Sequence, residues 1–257
     1  MRIATFNANS LRSRLDIILK WLGTHQPDIL AIQETKVQDK DFPIEAFDQT
    51  GYHVVYRGQK SYNGVALLSQ EPPVEIVSHL SQDPTDAARF LKAKIGPVVI
   101  LNTYIPQGMD VNSEKFRYKL DWFQWLHEYL QTHHHPEEPL IWLGDFNVAR
   151  QDIDVHDPKR LWGHVCFCKP VQGAIENIAE WGFIDVFRKF HPEPDHYTFW
   201  DYRAPNGFKR NIGWRLDYIM ATAPLAKACI NCQIDKEPRG WPRPSDHTFL
   251  MAEFEIE

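Results

Sequence analysis

No apolar run in the 257 residues approaches the roughly 18 needed for a membrane-spanning helix, so no membrane partner is expected. The opening MRIATFNANSL lacks the apolar segment of a secretory signal. It reads instead as a strand over residues 2–6 of the mature fold, with the cytoplasm as the expected compartment. Cysteine is scarce: there are four, in two close pairs, Cys166 with Cys168 and Cys229 with Cys232. They read as free thiols in a reducing compartment, with a zinc site or a redox pair as the alternative, although a one-residue spacer is tight for a metal chelate. The run His133-His134-His135, ahead of Pro136-Glu137-Glu138, reads as a solvated connection. There is no low-complexity tract and no Pro/Gly/Ser-rich linker, so one domain over residues 1–257 is expected; a monomer is the expected working state. A Gly-rich nucleotide loop, a G-x-S-x-G elbow and an H-E-x-x-H helix are also missing, which removes the signatures of three common chemistries.

The formal net charge of −6 argues against a surface that binds polyanions indiscriminately. Its distribution is uneven. Residues 156–244 carry 13 Lys/Arg against 10 Asp/Glu, and the rest of the chain 15 against 24. A mildly basic C-terminal surface facing an acidic remainder suits a local grip on a phosphate backbone, or is uneven charge without meaning.

Short apolar or alternating runs recur along the chain, among them RIATF, DILAIQ, GVALLS, PVVILNTYI, PLIWLGD, LDYIMA and TFLMAEFEI. Most are four to nine residues long with Gly, Pro, Asn or Asp between them, and they read as strands. Helical stripes are fewer: Leu15, Ile18, Leu19 and Leu22; Phe116, Leu120, Phe123 and Leu126; Ile175, Ile178 and Ala179. Strands outnumber helices, which predicts an α+β protein with packed sheets. IATFNANS and WLGDFNVA echo each other and suggest two like halves delivering polar groups from strand ends to one rim.

Polar residues interrupt or end these strands five times. DILAIQETK ends in Gln33-Glu34, RIATFNAN in Asn7 and Asn9, and VVILNTYIPQG carries Asn102 and Tyr104. WRLDYIM places Asp217 inside an apolar run, and PSDHTFLMAEF sets Asp246-His247 before the last strand. LIWLGDFNVAR adds Asp145 and Asn147, which a turn alone would explain. Three carboxylates meeting at a rim, Glu34, Asp145 and Asp246, would repel one another without a counter-ion. Oxygen donors from Glu, Asp and Asn select Mg²⁺, or Mn²⁺ in its place. Asp145 is then the candidate acceptor of a proton from attacking water, with Asn147 holding that water. His247 is the candidate cationic donor to a phosphate oxygen, oriented by Asp217, and Tyr104 adds a phenol. This is a constellation for in-line attack on a phosphodiester.

FNANSLRSR, PDILAIQETK, YNGVALLS, LNTYIPQG, LGDFNVA, TFWDYR, GWRLDYIM and PSDH together resemble the exonuclease III family of abasic-site endonucleases, in the family's order from Phe6 to His247. GDFN and SDH belong to the wider endonuclease/exonuclease/phosphatase superfamily; QETK, TFWDYR and GWRLDY carry the family-level likeness. The resemblance implies a four-layered α/β sandwich, two packed mixed β-sheets flanked by helices, and Mg²⁺-dependent cleavage of double-stranded DNA at abasic sites and 3′ ends. It implies Glu34 as principal metal ligand with Asn7, Asn9 and Asp246 near the ion, and Asp145 and Asn147 as the pair next to metal and water. Tyr104 and His247 match the phosphate-binding pair and Asp217 the histidine's partner. Phe199, Trp214 and Leu216 match an apolar pocket for the extruded baseless sugar, or are ordinary core. Gln107, Arg203, Lys209, Arg210, Arg239 and Arg243 are candidate DNA contacts. Gln107 stands where many relatives have Asn. VCFCKPVQG (165–173) lacks the Glu-Arg pair that many relatives place before the helix, which bears on the balance between abasic-site incision and 3′-end trimming, because a loop there can crowd the sugar pocket. The competing readings are a phosphoesterase of lipids or inositols, against which TFWDYR and GWRLDY stand, and a non-catalytic DNA-binding module, against which the full set of acids stands.

Overall fold

In the computed structural model, which describes residues 1–85 and 87–256, the short apolar runs pair into two six-stranded sheets. The first contains β1 (Arg2–Asn7), β2 (Ile29–Gln33), β3 (His53–Arg57), β4 (Val65–Ser69), β11 (Cys229–Asp235) and β12 (Phe249–Phe254), in the order β11-β12-β1-β2-β4-β3. The second contains β5 (Val74–Val77), β6 (Phe90–Ile95), β7 (Val98–Tyr104), β8 (Leu140–Asp145), β9 (Phe183–Asp185) and β10 (Asp217–Thr222), in the order β5-β6-β7-β8-β10-β9. Both sheets are mixed. The central pairs β1/β2 and β7/β8 run parallel, and each needs a crossover helix: α1 (Leu11–His25) in the first case, α2 (Glu114–His133) in the second. The remaining helices are α3 (Pro158–Leu161), α4 (Lys169–Gly182), α5 (Val186–Phe190) and α6 (Ala223–Ala228).

Two like halves are therefore present, but the echo of IATFNANS in WLGDFNVA does not join equivalent strands. The first lies on β1, the leading member of its parallel pair, and the second on β8, the trailing member of its own.

α1 covers the outer face of the first sheet. Its buried residues are Leu11, Ile17, Ile18, Trp21 and Leu22, so the buried face is turned toward Trp21 and leaves Leu15 and Leu19 only partly covered. Trp21 stacks on Phe249 at 4.1 Å, and Phe249 on Phe6 at 3.9 Å. α2 and α4 cover the second sheet, where Phe116, Phe123, Leu126, Ile175 and Ile178 join Leu101, Trp142 and Met220. The Ser113 side chain caps α2 by accepting from the Phe116 amide at 3.1 Å. Between the sheets, Ile3, Ile29 and Ala31 meet Ile100, Ile141, Leu143 and Ile219. The result is four layers, helix, sheet, sheet, helix.

The inner layer changes character along its length. Strand alternation puts residues i and i+2 on one face, so the set that begins with Ile3, Ile29, Ile100 and Ile141 ends with Asn7, Gln33, Asn102, Tyr104 and Asp145. Asn102 joins the sheets beneath this polar end: its Oδ1 accepts from Gln33 Nε2 at 2.8 Å, and its Nδ2 donates to the Ala66 carbonyl at 2.8 Å. Gly144 has φ +134°, and a Cβ there would lie 2.0 Å from the Thr103 carbonyl oxygen. The glycine of GDFN thus lets β7 and β8 close up just before Asp145.

A buried ionic cluster holds the start of β10. Arg215 meets Asp154 and Asp185, both at 2.7 Å, and Arg188 meets Asp154 at 2.5 Å. Burial alone would raise the Asp154 carboxyl, but the two guanidiniums hold it below its ordinary range. Arg215→Met would leave two buried acids short of a partner and should lower stability by about 3–5 kcal/mol at neutral pH. Urea denaturation measures this, and a midpoint equal to wild type would contradict it.

Candidate active site

Each strand of the polar end contributes from its terminus. Asn7 closes β1, Glu34 follows β2, Tyr104 closes β7, Asp145 closes β8, Asp217 opens β10, and Asp246-His247 precede β12. Register does the rest: Asp145 lies directly opposite both Tyr104 on β7 and Asp217 on β10. Asn7 Nδ2 donates to Glu34 Oε1 at 2.9 Å and to Asp145 Oδ2 at 2.8 Å, so its amide bridges two acids across the sheets. In this arrangement Asn7 presents its donor end to the acids, while its Oδ1 accepts from the Asn9 amide at 2.9 Å. Asn9 Nδ2 donates to Asp246 Oδ1 at 2.9 Å.

Positive charge enters from two sides. Lys36 Nζ lies 2.7 Å from Glu34 Oε2 and 2.5 Å from Asn9 Oδ1. Burial would raise the Glu34 carboxyl, but Lys36 and Asn7 hold it low. His247 Nδ1 lies 2.7 Å from Asp217 Oδ2, and its Nε2 faces Asp145 Oδ2 at 3.8 Å. Burial disfavours a charged imidazole, yet Asp217 and Asp145 outweigh it and push His247 up to about 10. Asp145 is itself raised, to about 7, by burial and by Asp217 and Glu34, against the pull of His247. Tyr104 is kept a protonated donor, since burial and Glu34 push its phenol well up.

Asn147 takes φ +50° and makes the turn expected of GDFN, its amide donating to Asp145 Oδ1 at 2.9 Å. Its Nδ2 donates to the Ile105 carbonyl at 2.9 Å and lies 3.3 Å from Asp145 Oδ2. The turn and the site are therefore one structure.

The carboxylate oxygens of Glu34 and Asp246 are hard donors that fit a divalent cation, while the Asn7 and Asn9 side chains here turn their amide nitrogens toward these acids. The Lys36 ammonium shows that this corner accepts positive charge. Asp145, Asp217 and His247 also have potential ligand atoms within 4.8 Å of one another, but there the imidazolium already supplies the charge.

Phe199, Trp214 and Leu216 line the same cleft, about 290 Å³ in volume, together with Gln107, Arg203 and the acids. Backbone bridges link Phe199 to both Trp214 and His247. Thr198 Oγ1 accepts from the Leu216 and Asp217 amides, each at 3.1 Å. The basic residues separate into two groups. Arg203 is exposed at the rim and pairs with Asp201 at 2.7 Å; Lys209 and Arg210 are exposed; Arg243 is exposed and lies 3.7 Å from Asp16. Arg239 is different: its guanidinium is turned inward onto the Ser245 and Trp200 carbonyls and lies over the Phe208 ring, so its expected reach to a phosphate gives way to a structural contact.

Three residues were not singled out from the sequence. Lys36 sits inside QETK. His164 lines the apolar side of the cleft and contacts the Trp214 ring at 4.9 Å, beside the loop expected to crowd it. Lys119 is fully buried, and its Nζ donates to the carbonyls of Gln107, Asn147 and Val165 at 3.1, 2.7 and 2.9 Å. It ties together three loops that border the cleft. Its position on the apolar stripe, three residues after Phe116, was the available signal. The four cysteines are free and buried, and Cys166 lines the cleft.

The Endonuclease/Exonuclease/phosphatase family model matches residues 4–247. Exodeoxyribonuclease III from Haemophilus influenzae is 33% identical over 99% of this chain and all of that protein. Among solved structures, an AP endonuclease from Archaeoglobus fulgidus superposes with a TM-score of 0.98 at 47% identity, covering both chains fully. A variant of the 3′ phosphatase NExo from Neisseria, bound to a product DNA hairpin, gives 0.94 at 36% identity with the same coverage. With its whole length matched and its strand-end acids gathered at one cleft, the chain belongs to the Endonuclease/Exonuclease/phosphatase family, in its exonuclease III branch.

Proposed function

We propose that the protein is a Mg²⁺-dependent DNA repair nuclease that cleaves double-stranded DNA on the 5′ side of abasic sites and removes nucleotides or blocking groups from 3′ ends. The observation that carries this reading is one cleft holding an acid raised toward neutrality, a buried imidazolium and an apolar pocket side by side. The names of its relatives support it: an exodeoxyribonuclease III, an AP endonuclease and a 3′ phosphatase with product DNA. The working unit is one catalytic domain, 1–257, acting as a cytoplasmic monomer.

Glu34 and Asp246, with Asn7 and Asn9 beside them, would hold the cation, Mg²⁺ or Mn²⁺ in its place, and the bound ion would supply neutralisation of charge on the phosphate. Asp145 accepts the proton of the attacking water. A carboxyl held near 7 by its surroundings suits that exchange at neutral pH. Asn147 holds the water through its side-chain oxygen, because its Nδ2 is committed to Ile105 and Asp145. His247 donates from Nε2 to a phosphate oxygen, with Asp217 holding Nδ1, and Tyr104 donates its phenolic hydrogen beside it. Lys119 acts at one remove by fixing the Gln107, Asn147 and Val165 carbonyls.

Phe199, Trp214 and Leu216 accept a deoxyribose that lacks its base, and His164 limits the room for anything larger. Arg203, Lys209, Arg210 and Arg243 remain available to the DNA backbone.

Asp145→Asn should abolish cleavage of a duplex with an internal abasic analogue while its affinity for that duplex, measured by fluorescence anisotropy, stays within about threefold of wild type. Near-normal turnover by this variant would overturn the mechanism. Asp217→Asn tests the histidine. Wild-type His247 stays charged up to about pH 10, and removing the acid lowers that value, so charge and activity are lost as pH rises through the new one. The alkaline limb of kcat/KM should move to lower pH by about one unit or more, with the smallest deficit near pH 6.5. A uniform loss at every pH would contradict the charged role.

A further inference from the structure

On the far side of Phe199 in sequence, the turn after α5 reads H-P-E-P-D-H and gathers His191, Glu193 and His196. His196 Nε2 lies 2.7 Å and His191 Nδ1 3.6 Å from the same oxygen of Glu193, and the three potential ligand atoms fall within 4.8 Å of one another. Tetrahedral zinc with bonds of about 2.0–2.1 Å to N and O places neighbouring ligand atoms about 3.3 Å apart, between the two distances to Glu193.

The surroundings independently prepare one donor. His191 Nε2 lies 2.8 Å from the Cys232 carbonyl, so the ring proton belongs on Nε2 and the Nδ1 lone pair faces Glu193. Metal-binding histidines are oriented in this manner by a carbonyl behind the ring. The backbone is fixed as well: Arg188 Nη1 donates to the His191 and Glu193 carbonyls at 2.9 and 2.7 Å, while Pro192 and Pro194 restrict φ on either side of the glutamate. The Phe187 ring contacts both imidazoles, at 4.6 and 5.6 Å. All three side chains are partly exposed, which leaves room for water as a fourth ligand.

We propose that His191, Glu193 and His196 form a structural site for a nitrogen-preferring transition-metal ion, Zn²⁺ first, separate from the oxygen-lined cleft. Two imidazoles and one carboxylate select zinc over magnesium. The ion braces the turn that leads into Tyr197, Thr198 and Phe199, and Thr198 in turn holds the Leu216 and Asp217 amides.

The test uses full-length protein stripped with chelator and dialysed against Zn²⁺ in excess Mg²⁺. Wild type should retain a zinc equivalent through gel filtration and unfold at higher temperature with zinc than without. Substituting Co²⁺ should give the strong visible absorption of a four-coordinate site. The H191Q/H196Q double variant should bind zinc at least about 100-fold more weakly, lose the thermal response and keep Mg²⁺-dependent nuclease activity. If that variant fails to fold, Glu193→Gln should show the same weakened binding. Zinc retained equally by the variants would place the ion at the cleft or the cysteines and overturn the proposal. Failure of wild type to retain zinc, or a weak octahedral cobalt spectrum, would leave these residues as an ordinary hydrogen-bonded cluster and overturn it equally.

Discussion

Asp145 and Asp217 face each other across β8 and β10, both buried, at the end of an apolar layer. Two carboxylates in that position cannot both ionise without positive charge close by. His247 answers this from one side, bonded to Asp217 at Nδ1 and facing Asp145 at Nε2. On the other side Lys36 neutralises Glu34, the third acid, which the Asn7 amide links to Asp145 by hydrogen bonds. The cleft is thus an electrostatic compromise, with the Asp145 carboxyl held above its ordinary range by burial and by the neighbouring acids.

The scaffold exists to hold that compromise in place. Alternation along five strands brings the polar set to one end, and the Asn102–Gln33 hydrogen bond locks the sheets together beneath it. Gly144 allows a close approach of β7 and β8 just before Asp145. Behind the apolar side, the ionic cluster of Arg215, Arg188, Asp154 and Asp185 fixes the residues that precede Asp217. Lys119 fixes the loops in front, at a desolvation cost that three carbonyl acceptors offset.

Much of this was legible from residue order. Short apolar runs with period two identify strands, and polar residues at their ends mark the rim, because both signals are local. Helix faces were less so: α1 turns Trp21 inward, a choice made by the Phe249 and Phe6 rings it meets rather than by its own spacing. Charge was the least legible. The basic balance of residues 156–244 suggested a phosphate-gripping surface, yet Arg188, Arg215 and Arg239 are spent on internal contacts. A count of charges does not record which ones are buried with partners. Lys119 escaped notice for the same reason, since a lysine in a helix reads as a solvated face until the stripe around it is considered.

Cation-dependent hydrolysis of DNA phosphodiesters at this end of the inter-sheet layer is best measured on the unaltered protein. End-labelled duplexes, one with an internal abasic analogue and one with a recessed 3′ end, are incubated with Mg²⁺ or with EDTA. Incision on the 5′ side of the analogue and shortening of the recessed end are expected with Mg²⁺, and neither with EDTA. Intact duplexes in Mg²⁺, or equal cleavage in EDTA, would contradict cation-dependent hydrolysis.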